Sequence, residues 1–341
     1  MLHLRMISPA DRTAAARSVL AEHRAVTNVA VLPGAAHEPE GDLVLADVAR
    51  EAASEVLEAL QAAGLDGRGS IAVEGVDLSL SAGAERAKRE APGAGSDAIV
   101  WEDLEARTRE ESSLSVAFLV LFGVATTLAG IAVLLDSAIL VVGAMIVGPE
   151  FGALAGICAG TVLRRWDVMR RGLLALVVGF PAGIAATILA VWLLSALGLI
   201  ESAALFEPRP QTGFIYLPDA LSFVVAFLAG IAGMMALTSA KSGAVLGVLV
   251  SVTTIPAAGN LAVAVAYGLT PDPAQRRGRY FDQALTSMEQ LLLNLLGIVV
   301  AGTLTLALQQ RIWRRYRSDD ERPTSRPGGS ASGSRGGPAR R

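Results

Sequence analysis

The feature that most constrains this chain is where its charges are missing. Ser112–Leu135, Ser137–Pro149, Phe151–Leu163, Gly172–Ile200, Ala220–Ala240, Ser242–Pro271 and Gln290–Gln310 contain no Asp, Glu, Lys or Arg. A helix needs about 20 mostly apolar residues to cross the hydrocarbon core of a bilayer, and soluble core helices rarely stay uncharged for that long. Joining the two runs that flank Glu150 gives six candidate spans, at about 112–135, 137–163, 172–200, 220–240, 242–268 and 288–310. The expectation is an α-helical polytopic membrane protein with two three-helix halves of inverted orientation, its partner being the lipid bilayer. The net charge of −3 conceals the division. Residues 1–112 hold 11 Arg/Lys and 20 Asp/Glu, a net of −9, and residues 113–341 hold 18 and 12, a net of +6. A disulfide scaffold is excluded by the single cysteine, Cys158.

Residues 1–80 read as a soluble α/β domain. Leu2–Ile7, Val26–Leu32, Leu43–Val48 and Ile71–Val76 have strand character, the second ended by Pro33-Gly34. Ser8-Pro9-Ala10-Asp11 reads as a helix start, with Ser8 as cap. Arg50–Ala63 is a second helix that turns Val56, Leu57 and Leu60 inward and stops at Gly64. The order β-α-β-β-α-β predicts a ferredoxin-like unit, a fold that names no ligand. His3, His23 and His37 lack metal-ligand spacing. Residues 81–111 form a polar linker and a membrane-approach helix, 112–310 the transmembrane domain, and 311–341 a basic, disordered tail rich in Gly, Ser and Arg.

Arginine sets the expected orientation, because Lys88 and Lys241 are the only lysines. Arg164, Arg165, Arg170 and Arg171 follow span two, and Arg311, Arg314, Arg315 and Arg317 follow span six. Both groups and Lys241 fall on one side if the amino terminus is cytoplasmic. Met1–Ala30 has no basic segment followed by an apolar one, so the first domain is expected to stay on the side of synthesis. Arg276, Arg277 and Arg279 break the rule, lying between spans five and six on the outer side.

Two spans carry breaks at matching positions. Span two reads Gly-Ala-Met-Ile-Val-Gly-Pro-Glu-Phe-Gly at its centre, and Glu150 has thirteen uncharged residues on each side. A straight helix would put that carboxylate at the midplane, at a cost of about 3 kcal/mol on insertion scales. Gly148, Gly152, Gly156 and Gly160 recur every fourth residue, a stripe that admits a close helix neighbour within or between chains, so a homo-oligomer is one outcome. Span five reads Ser-Val-Thr-Thr-Ile-Pro-Ala-Ala-Gly-Asn, with Pro256 and Gly259 expected to break the helix and Asn260 to bring an amide to midplane. Gly/Pro-interrupted segments in corresponding halves point to a transporter site, because broken helices expose backbone groups that bind ions or polar solutes. The candidate substrate- or ion-binding residues are Gly148, Pro149, Glu150, Thr253, Thr254, Pro256, Asn260 and Asn294, with Glu289 and Gln290 secondary. The alternative for Glu150 is a structural hydrogen bond to Asn260, Asn294, Thr126 or Thr127.

No enzyme chemistry surfaces. The membrane part holds no His, and the chain has no Gly-x-Ser-x-Gly elbow and no Walker loop. No catalytic residue, metal site, cofactor or nucleic-acid partner is expected. Ala125–Gly156, reading ATTLAGIAVLLDSAILVVGAMIVGPEFGALAG, resembles a prokaryotic membrane family known as the uncharacterised hydrophobic domain family, domain of unknown function 389. Thr108–Leu114, Lys241–Gly243 and Thr253–Asn260 are also similar, and the likeness covers roughly residues 1–310. Many relatives have a second proline soon after the first, where this chain has Phe151-Gly152-Ala153. The resemblance implies this architecture and a plasma-membrane location; it brings no activity with it. Two function classes follow: a secondary transporter or channel for a small solute or ion, or a membrane-anchored sensor or scaffold whose first domain binds a ligand or partner.

Overall fold

A computed structural model describes residues 1–76, 78–91, 99–201, 205–216, 220–239, 254–270 and 274–320. The amino-terminal part runs β1 (Leu2–Ser8), α1 (Thr13–Glu22), β2 (Val26–His37), β3 (Glu40–Val48), α2 (Ala53–Ala62), α3 (Leu65–Arg68) and β4 (Ser70–Gly75). The four strands form one sheet in the order β2-β3-β1-β4. Its ladders are antiparallel, with Leu4 opposite Ala46 on one side and Val73 on the other. The alternation of β1 puts Leu2, Leu4 and Met6 on the covered face. Against them pack Leu20 of α1 and Val56, Leu57 and Leu60 of α2. Each fully buried Leu or Met contributes about 1.5–3 kcal/mol, so this small core rests on few side chains. Gly64 ends α2 at φ +83°, the left-handed geometry that glycine tolerates.

Three local expectations are corrected. Ser8 does not cap a helix; it is the buried last residue of β1. Helix α1 starts at Thr13, because the Pro9 carbonyl already accepts the Arg12 and Thr13 amides. Pro33-Gly34 does not end β2, which continues to His37 through two register shifts. β2 is an edge strand, where a missing proline N–H need cost no ladder bond. Within the polar linker, Ser81 caps a helix α4 (Ala82–Glu90), its Oγ accepting the Ala84 amide at 3.0 Å.

Helix α5 (Trp101–Glu111) belongs to both parts of the molecule. At its start, the Ser54 hydroxyl donates to Glu102 at 2.7 Å and accepts the Trp101 amide at 3.2 Å. Further along, Leu104 packs with Ala155, Cys158, Ala159, Met234 and Leu306 of the apolar helices.

Those helices are α6 (Val116–Leu134), α7 (Ala138–Val147), α8 (Glu150–Val162), α9 (Trp166–Ala196), α10 (Ala220–Thr238), α11 (Thr254–Gly268) and α12 (Ala274–Asp320). Among the described residues, α6, α9, α10 and the Arg277–Trp313 part of α12 are long and apolar enough to cross a membrane. The α7–α8 pair adds a fifth candidate, bent by 55°. Of the expected fifth span, residues 242–253, including Thr253, lie outside the described residues. From Thr254 onward it is one unbroken helix, so Pro256 and Gly259 do not interrupt it. Pro256 stands in the first turn of α11 as described, a position a helix accepts. Gly259 serves the crossing with α6: a Cβ there would stand 2.7 Å from the Gly130 nitrogen and from the Ala129 Cβ. Helix α12 continues past 310 to Asp320, with no Pro or Gly between Gly302 and Asp320 to stop it; residues 321–341 lie outside the described residues.

Large apolar side chains such as Ile139, Leu173, Leu189, Leu221 and Leu285 point outward, while alanine and glycine dominate the inner contacts. That is the inverse of a soluble bundle and suits helices that pack by close approach within lipid.

Candidate functional site

The break between α7 and α8 follows from three residues. Gly148 is extended (φ −63°, ψ 125°), its amide still bonding the Ala144 carbonyl at 3.2 Å. Pro149 supplies no amide and directs the chain into a new helix. Glu150 then occupies the first turn of α8, where the amide end of the helix favours a negative group. Glu150 is fully buried, and the Thr254 hydroxyl donates to its Oε1 at 3.0 Å. Its side chain folds back over Gly148, where any Cβ would collide with Oε2 and would lie 2.9 Å from Ile255 Cγ1. Thr254 is thus a hydrogen-bond partner of Glu150 that the sequence did not single out for it.

Asn260 belongs to a second cluster. Its Oδ1 accepts from Arg209 Nη1 at 3.0 Å and from Gln283 Nε2 at 3.1 Å, and its Nδ2 donates to Ser287 Oγ at 2.6 Å. Asn260 and Ser287 are fully buried and Arg209 is 8% exposed. Arg209 comes from the segment between α9 and α10, which folds into the bundle: Leu205, Thr212 and Ile215 are also buried. The segment is tied to the α6–α7 turn, where Asp136 accepts the Thr212 hydroxyl and amide, both at 2.8 Å. Desolvation works against the ionised Asp136, but the Thr212 and Gln211 donors and the Arg209 charge outweigh it and hold its carboxyl below the usual range.

A polar stripe on α12 joins the two clusters. Gln283, Ser287, Gln290 and Asn294 are all buried and follow a helical spacing of four, three and four residues. The opposite face carries exposed Leu285, Met288, Leu292 and Leu296. Two independent registers bring Glu150 to the inner end of this stripe. Cys158 Sγ lies 3.6 Å from the Val299 carbonyl and lines Gly302, with Leu306 further on beside Leu104. Helices α8 and α12 therefore run the same way, and eight residues back, about 12 Å, Glu150 faces the turn 291–294. Helix α11 runs against α12, with Asn260 at Gln283 and Ser287; six residues back, Thr254 faces the turn 289–293. Leu154, Ile255, Leu291 and Ile298 share one apolar cluster, as this register requires.

The structure therefore gathers Gly148, Pro149, Glu150, Thr254 and Asn294 at one level and seats Asn260 about two turns away. Arg209, Gln283 and Ser287 were not anticipated. Glu289, a secondary candidate, is exposed on the outer face of α12.

Nor does Glu150 sit far from other charge. The glycine stripe of α8 is covered by the approach helix: a Cβ at Gly152 would lie 3.0 Å from Glu111 Oε2, and one at Gly156 would lie 2.7 Å from Ser112 Oγ. Desolvation against α8 raises the Glu111 carboxyl above its usual range, with Arg107 opposing and Glu110 reinforcing the shift. Arg165, in the turn after α8, pairs with Glu105 at 2.5 Å, and Arg109 pairs with Asp167 at 2.6 Å. The basic turn 163–167 thus lies against the same helix that holds the amino-terminal domain. Two of the three arginines that break the charge rule have local partners. Arg277 donates to the Gly268 carbonyl at 3.0 Å, at the carboxyl end of α11, and Arg279 stacks over Phe206 at 4.1 Å.

Residues 145–300 match the model of one protein family, Domain of unknown function (DUF389), and the resemblance read from the sequence is borne out over that stretch. The match begins three residues before Gly148 and encloses both polar clusters and the whole stripe. No curated protein and no solved structure matches the chain.

Proposed function

We propose that this chain is an integral membrane protein that acts as a secondary transporter or channel for a small solute or ion, and not as an enzyme. One observation carries the reading: a buried polar stripe on α12 leads from Arg209 and Asn260 to Glu150 and Thr254, inside helices whose outer faces are apolar. Polar and ionisable groups inside a membrane domain are costly, and they face the bundle interior where they serve a pathway. In this reading the chain crosses six times in two inverted halves in a prokaryotic plasma membrane. The basic turn 163–167, the amino-terminal domain and the tail then lie in the cytoplasm. The strand order β2-β3-β1-β4 with antiparallel ladders supports a ferredoxin-like assignment for that domain. The glycine contacts described are all within one chain, and a homo-oligomer is a separate proposal.

Cysteine accessibility tests the reading. In a Cys158→Ala background, Ser287→Cys and Gln290→Cys are expected to react with membrane-impermeant thiol reagents in proteoliposomes. Full protection at both positions removes the aqueous path. Glu150→Gln is expected to abolish uptake, and unchanged uptake would remove Glu150 from the mechanism.

A second reading, a membrane-anchored sensor, draws on a cavity of about 380 Å³ between the sheet and α5, lined by Arg50, Leu57, Ile71, Val100, Glu102 and Arg107. Its volume falls within the range of small-molecule sites. Ligand binding there together with thiol protection along α12 would favour it over transport.

A further inference from the structure

We propose that Glu150, Thr254, Gln290 and Asn294 form a site for one dehydrated alkali cation of about sodium size. The starting observation is Gln290, which is 3% exposed. Its Nε2 donates to Asn294 Oδ1 at 3.3 Å, but its Oε1 accepts no hydrogen bond among the described residues. Buried carbonyl oxygens are nearly always satisfied, and one that is not calls for an explanation such as a bound ion. The two helix registers bring residue 290 to the level of Glu150 and Thr254. Thr254 gives its proton to Glu150, which leaves its oxygen lone pairs available to a cation.

The chemistry of the set selects the ion. Its donors are a carboxylate, a hydroxyl and two amide oxygens, all hard, with no thiolate or imidazole to favour a transition metal. No group of three or more His, Cys, Asp or Glu able to hold a metal occurs among the described residues. A single carboxylate balances one positive charge. A divalent ion would leave a net charge buried in an apolar bundle and ordinarily recruits more carboxylates or retained water. A monovalent ion neutralises Glu150 and occupies Gln290 Oε1 together. The role as coupling ion rests on the transport reading above; the binding site itself does not.

The test uses the purified full-length chain in detergent, with its thermal unfolding followed while NaCl, LiCl or KCl replaces choline chloride at constant ionic strength. Sodium is expected to raise Tm saturably, by about 5 °C once well above its Kd. Glu150→Gln, Gln290→Leu and Thr254→Val are expected to lose that rise, and Thr254→Ser to keep it. Should Gln290→Leu fail to fold, the Thr254 pair decides. No alkali-ion dependence in the natural sequence overturns the site, as does a rise that persists in both Gln290→Leu and Thr254→Val. Stabilisation by low pH with no alkali-ion effect also overturns it, in favour of a proton on Glu150. Uptake measured in sodium and in choline separates the two claims. Uptake indifferent to sodium with no Tm shift removes the cation site and leaves transport standing. A sodium-dependent Tm with the α12 positions closed to thiol reagents supports the site and removes transport.

Discussion

Two segments of the membrane domain carry the same ingredients, a glycine, a proline and a polar side chain, and fold differently. At Gly148-Pro149-Glu150 the chain turns by 55° and a new helix starts. At Pro256-Ala257-Ala258-Gly259-Asn260 the helix runs straight through. The difference lies in position and in neighbours. Pro149 stands between two helices, next to an extended glycine, whereas Pro256 lies in the first described turn of α11 and is followed by unbroken helix. Gly148 leaves room for a carboxylate that folds back over the end of the preceding helix, and Gly259 leaves room for the backbone of α6. Proline and glycine therefore mark places where a helix has something to accommodate; neighbouring residues decide whether that is a hinge or a contact.

The comparison can be broken in order of expected effect. Gly259→Ala drives a methyl into the backbone of Gly130 and Ala129, which cannot yield, so it should cost about 3 kcal/mol in denaturant unfolding of the micellar protein. A loss under about 1 kcal/mol would mean that α6 and α11 part easily. Asn260→Leu strands donors on Arg209 and Gln283 and should cost about 2 kcal/mol, with Asn260→Asp, which keeps the acceptor, costing less. Gly148→Ala meets side-chain atoms of Glu150 and Ile255 rather than backbone, so about 1 kcal/mol is expected. If it exceeds Gly259→Ala, the hinge is the stiffer of the two sites. Pro256→Ala should change stability by less than about 0.5 kcal/mol, and spin-label distances across α11 should not move.

The smallest effect concerns the α6–α7 turn. Asp136 has a folded pKa below its unfolded value, so its contribution is complete above about pH 4 and is lost as the pH falls through the lower folded value. Asp136→Asn should lower the neutral plateau by that contribution and so flatten the acid limb, leaving stability at the acid end unchanged.

Much of this was legible in the residues. Charge depletion marked the apolar helices, period-two alternation marked β1, and Gly148-Pro149 marked the bend. What escaped depended on distant partners. Arg209 sits in a segment with no helical or strand period, so nothing local said that it would enter the bundle and reach Asn260. Gln283 and Ser287 extend the spacing of Gln290 and Asn294, but a span begun at 288 leaves them outside. A count of flanking uncharged residues takes the helix as straight, so it did not show the bend or the acidic approach helix, which brings Glu111 to within two residues of Glu150 along α8. Ser8 resembled a cap because its tetrapeptide has capping chemistry, which the Pro9 turn pre-empts.

Helix α5 has a mechanical consequence. One end is clamped to α2 of the amino-terminal domain through Ser54 and the other lies on the glycine stripe of α8. It is a lever with its fulcrum on α8. Any change in the 55° angle swings α5, and the amino-terminal sheet, being the far and bulkier arm, travels further than the hinge does. Two fluorophores, one on the exposed face of β2 and one at the end of α12, would then act as a protractor for an angle buried deep in the bundle.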